Sequence, residues 1–519
     1  MRIVLIRPSH RTGSLFLKKL GFLPVPIGLL QLAGELLRSG ENSVSIIDME
    51  ADEKSTDDVV RELAAISPEL VGITLHATAA HNTAVEIIRK TRSILPDVKF
   101  IAGGHHATFM AEELIRAGFD IVVLGEGDRT ISEIADVVRN SEGLSKVKGI
   151  VYRKDGDIFR TSRRELIRDL DTLSLPALDL VDPSKYRLES FGSLQSVICL
   201  ETSRGCPYAC DFCSVTPVWG NRWRSKSNGR ILRELEYAQS LGYGWVFFTD
   251  DVFFAEPVVA ERRKLFDEII QRKLGIRWIA QTRPDAVVRH PDLVGHAARA
   301  GMRMAAIGVE SGSRETLRRM RKALRPSTSQ KAVEILDRNG VLTLCSIMLG
   351  APFETVADML KTVRFGSKLV NSGADLIQFT VYTPFPGTGV FYDSIRKNSL
   401  ITTDWERFDI LTPVMRTGVS PVTIQAIQTF GVYFFQIKSY FRFKFRKQSM
   451  VGEKAALLDL ATDYVLQKLL VYLKDMLTFP ARLKETRDLF KATEAVGLTG
   501  NAIKELTASE NMPIYSAAK

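Results

Sequence analysis

The stretch Glu201-Thr-Ser-Arg-Gly-Cys206-Pro-Tyr-Ala-Cys210-Asp-Phe-Cys213 decides how the rest of this chain is read. It gathers three of the five cysteines of a 519-residue chain into one short segment. An apolar run at 196–201 precedes it and reads as a strand, so the thiols stand on the loop at that strand's C-terminal end. Thiols at CxxxCxxC spacing can converge on one face of a tight loop, with Gly205 and Pro207 shaping the turn. Three ligands are one short of the four that close a cubane iron–sulfur cluster or a structural zinc site. One metal corner is then left for an outside ligand, which metal-centred catalysis requires. The alternative is a zinc knuckle with a distant fourth ligand, Cys199 or Cys345. Against it, no Cys or His pair stands nearby at finger spacing.

Downstream of the triplet, strands alternate with helices as far as about residue 385. Strands are expected at 196–201, 245–249, 277–281, 304–309, 343–348 and 376–381. Six parallel strands with interposed helices predict a partial or complete β/α barrel, whose active site lies at the C-terminal strand ends. Those ends carry FFTDDVF with Asp250 and Asp251, WIAQTRPD with Gln281 and Arg283, and IGVESGS with Glu310. MLGAPFET and TPFPGT end the fifth and sixth strands. Cys199 and Cys345 fall inside apolar strands and read as inert core thiols. Tyr382 reads either as a packed core ring or as a hydrogen relay at the sixth strand end.

Upstream, residues 1–150 show five strand–helix pairs with strands apolar on both faces, the pattern of a doubly wound, Rossmann-like α/β domain. Ligands of such sheets bind beyond the carboxyl ends of the strands. The turns there are 8–13, 75–78, Gly103-Gly104-His105-His106 and Gly125-Glu126-Gly127-Asp128. Residues 151–190 read as a connector that opens with the hairpin VYRKDGDIF, 191–405 as the barrel and 406–519 as a mainly helical region.

The cysteine spacing, placed after the first barrel strand and followed by these strand ends, closely resembles the radical S-adenosylmethionine (SAM) superfamily. A doubly wound domain ahead of such a barrel resembles its cobalamin-binding subfamily, and the resemblance covers about residues 1–400. It implies a [4Fe–4S] cluster on Cys206, Cys210 and Cys213, with SAM on the fourth iron. It also implies SAM contacts from Asp250, Asp251, Gln281, Arg283 and Glu310. Phe212, before the third cysteine, is aromatic as in the family pattern. Cobalamin contacts are implied for His10, Thr78, Gly103, Gly104, His105, Thr108, Gly125 and Glu126. Glycines let the backbone approach a flat macrocycle, and threonines can bond its amides; the alternative is a degenerate domain whose glycines serve turns alone. Mutases and methionine synthase carry Asp-x-His-x-x-Gly after the first strand. Here the turn reads Pro8-Ser9-His10-Arg11-Thr12-Gly13, without the acid, so His10 is either the lower cobalt ligand or a loop histidine lining the site. His105 and His106 carry the same two readings, whereas His76, His81, His290 and His296 read as ordinary loop or helix residues.

The remaining composition excludes other classes. Five cysteines are too few for a secreted disulfide framework, and no apolar run reaches the roughly 18 residues of a membrane span. The net charge of +10 is interspersed with acids and has no stacking platform, which argues against nucleic acid. Half of that excess lies in 424–447, a Phe-rich basic helix with no acid across 436–450. It reads as a lid packed on the barrel, completed by a hydrophobic helix at 466–479, or as a contact with an anionic membrane surface. Both suit a greasy substrate. The expectation is a cytoplasmic protein, with peripheral contact at the inner membrane surface as the alternative. The resemblance implies a one-electron reductant of flavodoxin or ferredoxin type and a C-methyltransferase acting on an unactivated carbon of an apolar substrate, best a hopanoid or other isoprenoid lipid. The alternatives are a radical cyclase of a tetrapyrrole or lipid and a non-catalytic cobalamin carrier or sensor. The cysteine triplet with its strand-end acids argues against the last. No cysteine precedes Cys199, which disfavours a methylthiotransferase.

Overall fold

Strands buried on both faces need helices on both sides, and the N-terminal third of the chain is built that way. The computed structural model describes residues 1–10, 22–189, 196–446, 453–467 and 469–494. Strands β1 (Arg2–Arg7), β2 (Ser43–Asp48), β3 (Leu70–Thr74), β4 (Lys99–Gly103) and β5 (Ile121–Val123) are parallel in the order β2-β1-β3-β4-β5. The order reverses between β1 and β3, and the ends of those two strands form the switch point. The hairpin expected in the connector belongs instead to this sheet. Its strands β6 (Ile150–Lys154) and β7 (Asp157–Arg160) add antiparallel to β5, with Val122 opposite Val151. The sheet is therefore seven-stranded, and the hairpin covers what would otherwise be the open edge of β5.

The second sheet holds β8 (Ser196–Leu200), β9 (Tyr243–Phe248), β10 (Arg277–Thr282), β11 (Met302–Glu310), β12 (Leu342–Leu349) and β13 (Leu376–Val381). All six are parallel neighbours in chain order, and β8 does not pair with β13, so the barrel is an open half-barrel. Side chains alternate along each strand. Trp278, Ala305 and Cys345 enter the core beneath the helices, while Ile279, Met304 and Leu344 face the lumen.

The C-terminal helices complete this half-barrel. Helix Pro421–Arg446 runs along the free edge of β13. Phe435 stacks on Phe379 at 5.3 Å, and Gln428 Nε2 donates to the Phe379 carbonyl at 2.9 Å. The helix is a side wall rather than a lid over the strand ends. Its opposite stripe of Phe430, Phe434, Ile437, Phe441 and Phe445 is exposed, Phe445 by 79%. Helix Lys454–Gln467 then sets Leu457 and Leu458 against Trp245, Ile279, Met304 and Leu342, closing the lower end of the lumen. Its first residue, Lys454, is fully buried and pairs with Asp337 at 2.7 Å and Asp375 at 2.8 Å, which Arg442 also contacts. Two cations neutralise two carboxylates there, the arrangement that burial of charge requires. No helix among the described residues is long and apolar enough to cross a membrane.

Candidate functional site

The cysteine loop is anchored to the end of the neighbouring strand. Thr202 donates to Asp250 through its amide (3.1 Å) and its hydroxyl (2.5 Å), and the Ser203 hydroxyl bonds the same carboxylate. Arg262 stands 3.5 Å away. Asp250 is wholly buried and its oxygens are consumed. It is a loop anchor and does not face the cleft expected to hold SAM. Asp251 turns outward and is exposed, and its carboxylate accepts the Gly205 N–H at 3.1 Å. Surrounding protein and the nearby Glu201 push Asp251 up to about 7. Gly205 has φ +90°, and a Cβ there would lie 2.0 Å from the Arg222 carbonyl, so only glycine fits.

Cys206, Cys210 and Cys213 sit together, each thiol pushed up by burial and by its neighbours, Cys213 to about 12. Beside them Arg283 lies over the Tyr208 ring at 3.6 Å and pairs through Nε with Asp285 at 2.9 Å. Its Nη2 is buried with no nitrogen or oxygen partner among the described residues, and the guanidinium lies within reach of Cys210. Glu310 and Lys322 form a buried pair at 2.7 Å next to Cys210, with Glu310 held at φ +62°. Gln281 projects from β10 into the lumen. Among the described residues no three His, Cys, Asp or Glu side chains close on a point that one ion could occupy. Cys199 and Cys345, the distant ligands a zinc knuckle would need, are buried in β8 and β12. A four-iron cube asks for something else: each thiolate takes its own iron, so the sulfurs surround a larger body. The triplet fits that group, and the Nη2 edge of Arg283 fits a carboxylate beside it.

Across the lumen stand the turns of the N-terminal sheet. The acid missing before His10 is supplied from elsewhere: Glu50, just beyond β2, accepts the His10 N–H at 2.9 Å and lies 3.3 Å from Nδ1. Arg11, Thr12 and Gly13 of that turn lie outside the described residues. Gly104 has φ +104°, and a Cβ there would meet the His76 backbone at 2.8 Å; Gly103 carries no such constraint. His105 stacks with His76 at 4.7 Å, and His81 Nδ1 meets His106 Nε2 at 2.9 Å. The surrounding protein lowers all four rings from the usual imidazole value, His105 to about 3 and His81 to about 4, although His76 stays exposed. The grouping of His76 with His105 escaped the sequence reading, although both follow the C-terminal ends of adjacent strands. Thr78 lines the lumen. Thr108, expected to bond a cofactor amide, spends its hydroxyl on Gly104 O (2.9 Å) and the Gly125 N–H (3.1 Å), tying two turns together. Glu126 is likewise committed: it accepts from Ile167 N–H (2.7 Å), Arg224 (2.8 Å) and Arg204 (2.9 Å). With Asp128 bonded to Arg204 at 2.7 and 3.0 Å, these residues bolt the N-terminal domain onto the cysteine loop. Gly125, at φ +75°, makes the turn between them.

Between the two sides runs one cavity of about 570 Å³. Its upper end reaches Ser214, next to the third cysteine, and His10, His76, Thr78 and His105 line the wall opposite the strands. Phe247, Ile279, Met304, Leu344 and Leu376 make the barrel wall apolar, interrupted by Gln281, Ser346 and Gln378. A strap at Phe408–Leu411 closes the side; Asp409 in it caps the Leu411 and Thr412 N–H groups at 2.8 and 2.7 Å. Among the described residues no lysine or arginine lines this cavity.

Comparison with known proteins matches residues 13–135 to the B12 binding domain family and residues 200–366 to the radical SAM superfamily. An uncharacterized methyltransferase of Pyrococcus horikoshii is 31% identical over 425 residues, covering 80% of this chain and 88% of that one. An anaerobic magnesium-protoporphyrin IX monomethyl ester cyclase of Synechocystis is 29% identical over 81% of this chain and 82% of its own. The hopanoid C-3 methylase of Methylococcus capsulatus is 27% identical over 80% and 76%. Among solved structures, the cobalamin-dependent S-adenosylmethionine radical enzyme OxsB shares the fold at a TM-score of 0.67 and 16% identity, covering 100% of this chain and 84% of that one.

Proposed function

The chain belongs to the radical SAM enzymes that carry a B12 binding domain, a family working with a [4Fe–4S] cluster, SAM and cobalamin, and within it we propose that this enzyme methylates an unactivated carbon of an apolar substrate, best matched by a hopanoid or another isoprenoid lipid. One observation carries the reading: a single apolar cavity joins the cysteine loop to the turns of the N-terminal domain. A neutral hydrocarbon skeleton suits walls on which no described residue is a lysine or arginine and whose His76 and His105 rings are lowered below the usual imidazole value.

When bound, the cluster with SAM supplies the one-electron chemistry that removes hydrogen from carbon, and cobalamin supplies the methyl group. The chain's own residues place those groups and keep water out. Cys206, Cys210 and Cys213 would hold the cluster, Asp251, Arg283 and Glu310 would hold SAM, and His10, Thr78 and His105 would hold cobalamin. Phe247, Met304 and Leu344 dry the space between, and Gln281, Ser346 and Gln378 give it polar points that can orient one hydroxyl or carbonyl. Hydrogen abstraction needs no general acid or base, in keeping with histidines that do not ionise near neutral pH.

The second reading, ring closure on a tetrapyrrole, draws on the cyclase relatives. It is weakened by the cavity wall, because the free porphyrin carboxylate would meet no lysine or arginine among the described residues there. Mass spectrometry of lipid and pigment extracts from a deletion strain separates the two. Loss of a methylated lipid supports methylation, and loss of a closed ring without loss of a methyl group supports the cyclase. A strain carrying Cys206→Ala that keeps every product would refute both. The exposed Phe stripe of helix Pro421–Arg446, free of acids and flanked by Lys444, further supports peripheral contact with an anionic membrane that would deliver a lipid substrate.

A further inference from the structure

A second concavity, of about 680 Å³, opens on the outer surface behind the cysteine loop. Five arginines line it with one acid, Glu165; Arg164 is paired with Glu133 and Arg224 with Glu126, which leaves Arg163, Arg168 and Arg222 as the exposed positive side chains of the rim. Arg163 and Arg222 are exposed, and Arg168 faces solvent with 90% of its side chain exposed, 3.8 Å from the equally exposed Glu165. Arg224 forms its back wall, stacked 5.3 Å over Trp219, and its Nε and Nη2 are buried without a protein partner. Trp223 forms its floor. Trp223 and Cys206 both pack against the same small core of Val252, Ala255 and Val258. The preceding residue, Arg222, places its carbonyl against Gly205, directly ahead of Cys206. The arginine-rich surface and the first cysteine thus share one small packed core, through Trp223.

We propose that this surface, formed by Arg163, Arg168, Arg222, Trp223 and Arg224, docks an acidic one-electron carrier protein, which passes its electron to the cluster past Trp223 and Cys206. The proposal rests on the reading of the triplet as cluster ligands. The reduced carrier loses one electron, the cluster gains it, and no proton or bond changes hands. Entry from this side explains how the cluster can be reduced while the cavity stays dry, because the donor never approaches through the substrate space. The occupant follows from charge. A concave patch of one sign attracts a partner of the other, raises its association rate and loses that gain as salt rises.

The test uses the iron–sulfur holoenzyme under anaerobic conditions. Reduced flavodoxin is mixed with it in a stopped-flow instrument, and bleaching of the cluster's visible absorption is followed against salt concentration. Arg163→Glu combined with Arg222→Glu should slow reduction by flavodoxin about tenfold or more at low salt. Reduction by dithionite, a small reagent that needs no docking, should be unchanged. Lys146→Glu, the same reversal on a distant exposed lysine, should leave both rates alone. Wild-type flavodoxin rates in the double variant would overturn the proposal, as would an equal loss with dithionite. A double variant that reduces normally yet no longer binds anionic vesicles, or changes its oligomeric state, would give the surface to a membrane or to a second copy and overturn it too. A wild-type protein that holds no iron–sulfur chromophore would instead overturn the cluster reading, a result visible before any donor is added.

Discussion

Replacing Arg204 with leucine should cost more stability than any surface change in this protein. The guanidinium is nearly buried and makes four contacts: Asp128 at 2.7 and 3.0 Å, Glu126 at 2.9 Å and Glu201 at 2.7 Å. Glu126 would keep Arg224 and the Ile167 N–H, and Glu201 is partly exposed, so the damage concentrates on Asp128. Removing one partner of a buried ion pair costs about 3–5 kcal/mol, because the remaining charge is left uncompensated. Asp128 also fixes the pH dependence. Burial pulls its pKa up and Arg204 outweighs burial, so in the wild type the folded carboxylate titrates below its unfolded value. Its contribution is present at neutral pH and is lost as pH falls through the folded pKa. Without Arg204 burial is opposed only by a backbone N–H and Lys226, so the folded pKa rises above the unfolded one and stability is lost as pH rises. The deficit of Arg204→Leu should therefore shrink between pH 8 and pH 5, where Asp128 takes up a proton. Adding Asp128→Asn should recover part of it at pH 8. Urea unfolding of the apoprotein at the two pH values measures this. A deficit under about 1 kcal/mol, or one identical at both pH values, would refute the reasoning.

Three other outcomes follow from single sites. Glu354, buried and bonded to the Gly350 and Ala351 N–H groups at 2.9 and 3.0 Å, is pushed up to about 7 by burial. Its folded pKa exceeds the unfolded value of 4.5, so stability should fall by about 3 kcal/mol as pH rises between those values, and Glu354→Gln should flatten the fall in a thermal-shift series. Phe441→Ser with Phe445→Ser removes two exposed rings; stability should change by less than about 0.5 kcal/mol. Co-sedimentation with phosphatidylglycerol vesicles should drop about tenfold or more, and unchanged binding would detach the stripe from the membrane. His10→Ala should shift the visible absorption of bound cobalamin if the Glu50-oriented imidazole ligates cobalt, and an identical spectrum would rule that role out.

The strands were the legible part of this fold. β3 and β13 are read from sequence to the residue, because LVGIT and LIQFTV are short, mainly apolar runs rich in β-branched residues. The cysteine triplet was legible for a chemical reason, since ligand spacing survives whatever the surroundings do. Contacts between distant segments were not legible. Nothing near His10 announces Glu50, and paired acids at a strand end do not reveal that Asp250 turns inward while Asp251 turns out. Glu126 sits in a glycine-rich turn of the kind that cradles a ligand, yet its partners are two arginines from another domain. An amphipathic pattern shows that helix Pro421–Arg446 buries one face, but not that the face covers a strand edge. Nothing in the sequence around Lys454 announces its burial, and only the fold shows it between Asp337 and the buried Asp375.

The most direct test of the account is anaerobic turnover of the reconstituted holoenzyme with flavodoxin, SAM bearing a deuterated methyl group, and diplopterol, a neutral hopanoid, followed by mass spectrometry. The account predicts 5′-deoxyadenosine together with a lipid heavier by one deuterated methyl group. Magnesium-protoporphyrin monomethyl ester in place of the lipid should return unchanged. Ring closure on that porphyrin, with the hopanoid returned unlabelled, would contradict it.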